Sequence, residues 1–245
     1  MANSKKIAVL ILAYNESEYI RQCINQWSGL VDKITVLIPT MPWLGSPQAD
    51  DGTVMKARRA GAEVIIQNWK SEAEQRTWGC ARLYDYDYVI TCDADEFYTK
   101  EDREKIIYTL NNGEEQCYRA NNVITYWKYN FVITPPDTHK PIIAVAPKKI
   151  KFIEHRMPME VSEDRLTDLQ PIINVSIHHF SWSKPDHKIK AKIENFSHAD
   201  IVKPNWYEKK WLNWTEDTED IRPYGIEKSR AIKQEPPQEI KELIK

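Results

Sequence analysis

Apolar runs alternate with amphipathic segments through residues 6–110, and this alternation most constrains the fold. Four runs have the length and composition of strands buried on both faces: Lys6–Tyr14, Lys33–Pro39, Glu63–Gln67 and Tyr88–Cys92. Segments with helical periodicity follow them: Tyr19–Trp27, Val54–Ala60, Glu72–Tyr84 and Thr99–Leu110. Such alternation predicts an α/β protein with a parallel sheet and helices on both faces.

Capping residues set the predicted helix boundaries. Asn15 or Ser17 is predicted to cap the first helix, because both side chains accept hydrogen bonds from backbone N–H groups. Gly61 is predicted to end the second helix. Thr99 and Asp102 have the spacing of a capping box, which predicts where the fourth helix begins.

The pattern changes after Gln116. Three segments resemble strands separated by proline-rich turns, which predicts a mixed, antiparallel region: Gln116–Thr134, Ile142–Glu154 and Ile172–Trp182. A basic amphipathic helix is predicted at His187–Asn195, and the end of the chain is predicted to be a polar helix or tail. The chain therefore divides into a first half at 1–115, a second half of the same domain at 116–200 and a C-terminal helical extension at 201–245.

Charge and composition exclude some classes of function. The net charge of −2 and the isoelectric point near 6.3 provide no basic surface for general nucleic-acid binding. The apolar run Ile7–Ala13 is too short to span a bilayer and has no signal-peptide cleavage site, so no transmembrane segment is expected. The four cysteines lack disulfide or zinc spacing and are expected to be reduced, which predicts a cytoplasmic protein.

Acidic residues follow directly after the fourth predicted strand. Asp93 and Asp95 are two positions apart, so in an extended strand both carboxylates would face one point. Hard oxygen ligands without a cysteine partner suit Mg²⁺ or Mn²⁺. Asn15 and Glu16 also follow a strand, and ligands of parallel sheets bind at such carboxyl ends. A solvated acidic turn is the alternative interpretation.

Several motifs occur in the order known from one enzyme family. They span roughly residues 5–200: Ala13-Tyr14-Asn15-Glu16, Glu74-Gln75-Arg76 with Gly79, Asp93-Ala94-Asp95-Glu96, and His178-His179-Phe180-Ser181-Trp182 followed by Lys192. This order resembles family 2 glycosyltransferases, which have the GT-A fold, a Rossmann-like mixed sheet. The C-terminal motifs are similar to those of β-1,4-N-acetylglucosaminyltransferase-type enzymes.

The resemblance implies a role for each matching residue. Those expected to bind a nucleotide-sugar donor are Ala13, Tyr14, Asn15, Glu16, Asp51, Arg76, Asp93, Ala94 and Lys192. Asp51 enters this set from a displaced Asp-Asp-Gly-Thr turn, because the Asp-Gly-Ser turn typical of the family is absent after the second strand. The implied metal ligands are Asp93, Asp95 and one histidine, with His179 favoured over His178, and Mn²⁺ favoured over Mg²⁺.

An inverting transfer also needs a base that deprotonates the acceptor. Glu160 stands where some family 2 enzymes place a His-Glu pair, and it is the predicted base. The alternatives are Glu154, Glu163 and Asp164.

Two further groups of residues have open interpretations. Lys184, Lys188, Lys190 and Lys192 form a cationic run that would meet a diphosphate or lie on a solvated helix face. Trp206, Trp211 and Trp214 would either stack on a sugar or pack the C-terminal segment on the core.

The sequence therefore predicts a metal-dependent, inverting hexosyltransferase with a nucleotide-sugar donor, by default a UDP-hexose. The alternatives are a nucleotidyltransferase, against which the missing glycine-rich loop argues, and a non-catalytic nucleotide-sugar- or glycan-binding protein. Glycan, lipid-linked sugar, protein side chain and modified nucleobase remain open as acceptors.

Overall fold

The computed structural model of the protein describes residues 4–160 and 170–245. Its strands are β1 Ile7–Leu12, β2 Lys33–Pro39, β3 Glu63–Gln67, β4 Tyr88–Asp93, β5 Glu96–Phe97, β6 Cys117–Trp127, β7 Phe131–Thr134, β8 Ile142–Val145, β9 Ile150–Glu154, β10 Met157–Glu160, β11 Ile172–Trp182 and β12 Arg230–Lys233. Its α-helices are α1 Ile20–Asn25, α2 Thr53–Arg59, α3 Glu72–Arg82, α4 Lys100–Asn112, α5 Asp186–Asn195 and α6 Gln238–Leu243. A 3₁₀ turn spans Ala199–Ile201, and a π-helix spans Tyr207–Leu212.

One mixed sheet organises the molecule, with strand order β12-β7-β6-β8-β4-β1-β2-β3. Strands β4, β1, β2 and β3 are parallel, whereas β8 joins β4 and β6 by antiparallel pairing. Strand β11 runs parallel to β6 and also pairs with the short β5. Strands β9 and β10 form a separate antiparallel hairpin.

Strand β1 is buried on both faces, which explains its continuous apolar sequence. Ile7, Val9 and Ile11 belong to a hydrophobic cluster that also contains side chains of α1, α2 and α4. Ala8, Leu10 and Leu12 face the opposite cluster, which contains side chains of α3 and β9. The sheet therefore carries helices on both faces, and the predicted fold class is confirmed.

Glycine at position 79 allows α3 to lie close to the sheet. A Cβ atom there would lie 2.6 Å from a methyl carbon of Leu10 and 2.8 Å from a methyl carbon of Leu37. Both distances are below normal van der Waals contact. The helix that precedes the acidic turn is thus seated directly on β1 and β2.

Local details differ from the sequence-based prediction. Helix α1 begins at Ile20 without a side-chain cap, so the predicted caps at Asn15 and Ser17 are wrong. Tertiary contacts hold these residues instead, because the backbone N–H of Ser17 donates to Asp51 and the Asn15 amide donates to Gln48. The Thr99 cap is correct, because its side chain accepts from the Asp102 backbone N–H. Each of the first two long strands predicted after Gln116 is interrupted by a turn and forms two strands.

The C-terminal segment is folded onto the sheet and is not a polar tail. Trp206 and Trp211 are buried in a cluster with Trp127 and Trp182, which decides in favour of core packing. Strand β12 extends the sheet by pairing with β7, and Ile240 of α6 is fully buried. Among the described residues, none of the helices is long and apolar enough to cross a bilayer.

Candidate functional site

A cavity of about 590 Å³ opens at the carboxyl ends of β1, β2 and β4. Its walls come from the loop after β1, the turn after β4, the tip of the β9–β10 hairpin and the end of β11 with α5. Parallel strands bring segments distant in sequence to one edge, which is why residues of both halves of the chain meet here.

Asp95 is the centre of one ionic cluster in this cavity. Its Oδ2 accepts from the Lys184 ammonium at 2.8 Å and from Lys192 at 3.3 Å. Its Oδ1 lies 3.3 Å from Nε2 of His179. Burial disfavours the charged carboxylate, but Lys184, Lys192 and His179 outweigh burial and hold the pKa of Asp95 well below its usual value.

Lys184 joins Asp95 to the loop after β1. Its ammonium also donates to Oε2 of Glu16 at 2.6 Å, and its side chain is 2% exposed. Burial works against the ammonium, yet the two carboxylates raise the pKa of Lys184 above its usual value. Lys192 is less well paired: burial and the charge of Lys184 lower its pKa, and its ammonium donates to Ser181 at 2.8 Å.

Asp93 belongs to a second, separate cluster. Its Oδ1 lies 2.5 Å from the Arg76 guanidinium, and its Oδ2 lies 2.9 Å from Arg156. Arg156 also contacts Glu96 at 2.6 Å, and Arg76 contacts Glu72 at 2.9 Å. Although burial favours the neutral carboxyl, Arg156 and Arg76 hold the pKa of Asp93 below its usual value.

The expectation that Asp93 and Asp95 face one point is therefore corrected. Strand β4 ends at Asp93, and Ala94 and Asp95 form a turn before β5, so strand alternation does not extend to Asp95. Both residues line the same cavity, but each carboxylate is neutralised by a different set of cations.

The geometry of Asp95 and His179 fits a divalent cation with two protein ligands. Their facing atoms are 3.3 Å apart, and adjacent ligands on one octahedral cation with bonds of about 2.1 Å are separated by about 3 Å. Within residues 4–160 and 170–245, no group of three His, Cys, Asp or Glu side chains is arranged to hold a metal ion. His178 points elsewhere, because its Nδ1 is 2.9 Å from the Tyr126 hydroxyl.

The loop Ala13–Glu16 forms the opposite wall of the cavity. Asn15 has a φ of 54°, a left-handed conformation that asparagine tolerates better than most residues. The Tyr14 hydroxyl accepts from the Gln48 backbone N–H at 2.9 Å, and Glu16 N–H donates to Thr53 at 2.8 Å. The loop is thus fixed by the segment that precedes α2.

Two predicted donor-binding residues support this wall from behind. Asp51 accepts from the backbone N–H of Ser17 at 3.0 Å and pairs with the Lys188 ammonium, but it does not itself line the cavity. Arg76 is fully buried between Glu72 and Asp93, also outside the lining. Both side chains contact residues of the cavity wall, and their predicted contact with a donor stays a prediction.

Glu160, the predicted base, lies on β10 opposite Ile150 and is not among the described residues that line the cavity. Glu160 is at the end of the hairpin distant from its turn, whereas Glu154, next to the turn, does line the cavity. Glu163 and Asp164 lie outside the described residues.

The lysine run divides between the two predicted environments. Lys184, Lys188 and Lys192 recur at intervals of four and line the cavity. Lys190 instead lies over the Tyr207 ring, 5.9 Å from its centroid.

Sequence reasoning missed several cavity residues. Nothing in the local sequence marks the pairing of Arg156 with Asp93 and Glu96. The Trp43 indole donates to Gln75 at 3.1 Å, and the Gln75 amide donates to the Leu37 carbonyl, so these residues close the far wall of the cavity. The rings of His155, His198 and Tyr224 contact one another at the rim of the cavity.

Comparisons with known proteins point to glycosyltransferases. No protein-family model matches the sequence. An uncharacterized glycosyltransferase of Rickettsia conorii is 28% identical over 120 residues, which cover 49% of this chain and 39% of that protein. The SPbeta prophage-derived glycosyltransferase SunS of Bacillus subtilis is 21% identical over 193 residues, which cover 74% of this chain and 41% of that protein. The matches thus span about two fifths of the length of these relatives.

Solved structures resemble the chain only weakly. Glucosyl-3-phosphoglycerate synthase from Mycobacterium tuberculosis, in complex with Mn²⁺, uridine diphosphate and glucosyl-3-phosphoglycerate, has a TM-score of 0.35 and 22% identity, over 47% of this chain and 43% of its own. The glycosyltransferase GlyE of Streptococcus pneumoniae has a TM-score of 0.31 and 14% identity, over 60% of this chain and 35% of its own. Scores this low add nothing to the fold that the strand order already defines.

Proposed function

We propose that this chain is a glycosyltransferase that moves a sugar from a nucleotide-sugar donor to an acceptor hydroxyl group. The observation that carries the proposal is the cavity at the carboxyl ends of the parallel strands, in which Asp95, His179 and Lys192 face the loop Ala13–Glu16. Glycosyltransferase relatives found by sequence support the same class of reaction.

The charges around Asp95 favour a donor that arrives with a divalent cation. Asp95 and Glu16 already match the positive charges of Lys184 and Lys192, so a diphosphate would add uncompensated negative charge to a buried site. Asp95 and His179 would hold the cation, and imidazole beside carboxylate favours Mn²⁺ over Mg²⁺. Such a cation, when bound, stabilises negative charge on the departing diphosphate.

The protein's own residues would orient the donor. Tyr14 and Asn15, with the backbone of Ala13 and Ala94, form the wall assigned to the nucleoside. Asp93 keeps a side chain that is 33% exposed and free lone pairs for a donor hydroxyl. Lys192 contacts one carboxylate, that of Asp95, whereas Lys184 and Lys188 each contact two, so Lys192 is the lysine placed to receive diphosphate oxygens. The reaction would be a direct displacement with inversion, and a UDP-hexose is the proposed donor.

Thermal-shift measurements test this function directly. UDP-glucose, UDP-galactose, UDP-N-acetylglucosamine and GDP-mannose are each added with and without MnCl₂, because a ligand selective for the native state raises Tm by mass action. At least one nucleotide sugar should stabilise the protein more with Mn²⁺ than without it. Failure of all four to raise Tm under either condition would reject the proposal.

Two variants test the assignment of the metal ligands. Asp95→Asn and His179→Ala should each weaken Mn²⁺-dependent binding of the nucleotide sugar by at least about 10- to 100-fold. That is the usual loss when a residue that only orients a metal ligand is removed, and losing a ligand itself should cost no less. His187→Ala is the matched control, because His187 is exposed and outside the cavity. Full Mn²⁺ dependence in Asp95→Asn, with circular dichroism confirming the fold, would show that the metal ligands lie elsewhere.

A further inference from the structure

The tip of the β9–β10 hairpin brings a histidine to the cavity rim. His155 has a φ of 39° in the tight turn between Glu154 and Met157, and its side chain is 36% exposed. Its Nδ1 lies 3.2 Å from Oε2 of Glu72, a residue on α3. The His198 ring contacts it with centroids 4.5 Å apart and ring planes tilted by 39°, and the Tyr224 ring contacts His198 at 4.5 Å with a tilt of 36°.

These contacts fix the tautomer of the imidazole. Arg76 donates to Oε1 of Glu72 from two nitrogens, at 3.0 and 2.9 Å. Burial favours a neutral Glu72, but Arg76 and His155 outweigh burial and hold its pKa below the usual value. An ionised carboxylate only accepts hydrogen bonds, so Nδ1 of His155 must donate to it. In the neutral ring, Nε2 therefore carries the free lone pair.

Each buried carboxylate of the cavity is paired with a cation, and even Glu16, whose pKa burial raises, has both oxygens in contact with the Lys184 ammonium, so none of the described ones presents an unpaired carboxylate to an acceptor. The described pairs are Glu16 with Lys184, Glu72 with Arg76, Asp93 with Arg76 and Arg156, Asp95 with Lys184 and Lys192, and Glu96 with Arg156. Glu154 and Asp137 also line the cavity, with side chains that are 66% and 47% exposed, and the variants named below test each of them as the base. Burial lowers the pKa of His139 and of His198, which weakens both as bases.

We propose that His155, oriented by Glu72, is the general base that deprotonates the acceptor hydroxyl; this assignment rests on the proposed glycosyl transfer. Nε2 of His155 takes the hydroxyl proton while the acceptor oxygen forms its bond to the anomeric carbon. The bond from that carbon to the diphosphate oxygen breaks, and its electron pair leaves with the nucleoside diphosphate. The imidazolium is stabilised by Glu72 and returns its proton to solvent. Glu72 is a positioning residue, because it acts through His155.

Several charged groups surround His155 and set its titration. Its hydrogen bond to Glu72 raises the pKa of His155 above 6.5, against the effect of burial. Glu154, whose Oε1 is 3.9 Å from Nε2, acts in the same direction, and Arg76 opposes it. His139 and His198 also interact with His155. The rate should therefore rise as pH increases through the pKa of His155, because only the neutral ring accepts a proton.

The test uses the full chain with UDP-glucose and Mn²⁺, and water as the acceptor. UDP release reports turnover, and UDP affinity by calorimetry reports donor binding. His155→Asn removes the base while keeping a residue that tolerates positive φ. Turnover should fall by about 10²- to 10⁴-fold, with UDP affinity within about threefold of the parent. The exposed His187→Asn is the matched control.

Glu72→Gln provides a readout that a purely structural role would not give. Loss of the carboxylate lowers the pKa of His155, so the rise of kcat with pH should move to lower pH, while its maximum falls. Parental turnover in His155→Asn, or an unchanged pH profile in Glu72→Gln, would overturn the assignment. If His155→Asn is active and Glu154→Gln or Asp137→Asn loses turnover to the extent predicted for His155→Asn, the general base is that acid and not His155.

Failure of the two proposals can be distinguished. A parent protein that neither binds nor hydrolyses any of the four nucleotide sugars would overturn the proposed function, and the base assignment with it. A parent that does both while His155→Asn matches it would overturn the base assignment alone.

Discussion

Replacing Lys184 by methionine should destabilise the protein through its buried carboxylates. The substitution removes an ammonium that contacts Glu16 and Asp95, and leaves a side chain of similar length. Removing one partner of a buried ion pair costs about 3–5 kcal/mol. Asp95 keeps Lys192 and His179, whereas Glu16 loses the cation that contacts both of its oxygens. We therefore expect a loss of about 3 kcal/mol, at the lower end of that range.

The loss should depend on pH through Glu16. Burial already raises the pKa of Glu16 although Lys184 opposes it, so removing Lys184 raises that pKa further. A carboxyl group with a raised folded-state pKa is stabilising only at low pH, and this contribution is lost as pH rises through that pKa. The variant should therefore be closer to the parent at pH 5 than at pH 8.

Urea unfolding at both pH values measures the effect. The double variant Lys184→Met/Glu16→Gln should recover part of the loss at pH 8, because it no longer buries that unpaired charge. Lys190→Met, at an exposed position, should stay within about 0.5 kcal/mol of the parent. The reasoning is refuted if Lys184→Met is as stable as Lys190→Met, or if Glu16→Gln brings no recovery.

Two further predictions concern the packing around the site. Burial lowers the pKa of His178 from 6.5 to about 4. Between these two pH values the unfolded chain binds a proton that the folded protein does not, so the free energy of unfolding falls as pH drops through this range. This difference in pKa corresponds to about 3 kcal/mol of stability. In urea unfolding, His178→Phe combined with Tyr126→Phe should remove most of this dependence, and an unchanged slope would mean that His178 is accessible to protons. Trp211→Ala should cost about 3–5 kcal/mol, with a smaller loss for the partly exposed Trp214→Ala; equal losses would contradict the packing described for this cluster.

The sequence predicted best those elements that depend only on residues close together in the chain. Strand β2 and the Thr99 cap depend on neighbouring residues, and both are found as predicted. The acidic turn was also located correctly, because it ends an apolar run. The direction of its carboxylates was not, because the strand ends at Asp93, two residues before the position that the alternation argument requires.

The ionic partners could not be predicted because they are far apart in the chain. Lys184 is 89 positions from Asp95, and Arg156 is 60 positions from Glu96. Strand β12 was missed for a related reason: its sequence is polar at an exposed edge, and only pairing with β7 defines it. Glu160 was selected by its position in a motif, whereas its place at the end of the hairpin distant from the turn depends on the register of β10 with β9.

The two ionic clusters of the cavity differ in whether their charged groups can still contact a ligand. Around Asp93, two guanidinium groups and three carboxylates are bonded to one another, and the arginines are buried, so this cluster is a rigid support for the turn after β4. Around Asp95, one carboxylate oxygen faces His179, and the Lys192 ammonium contacts Asp95 and Ser181 and lies over the Trp182 ring, 5.5 Å from its centroid.

A ligand with negative charge and its cation can enter the Asp95 cluster without breaking the Asp93 cluster. Glu72 belongs to the Asp93 cluster and also contacts His155. The proposed base is therefore attached to the cluster that donor binding leaves unbroken. Donor binding and proton transfer are thereby assigned to different walls of one cavity. For that reason, Asp95→Asn should impair donor binding, whereas His155→Asn should impair turnover alone.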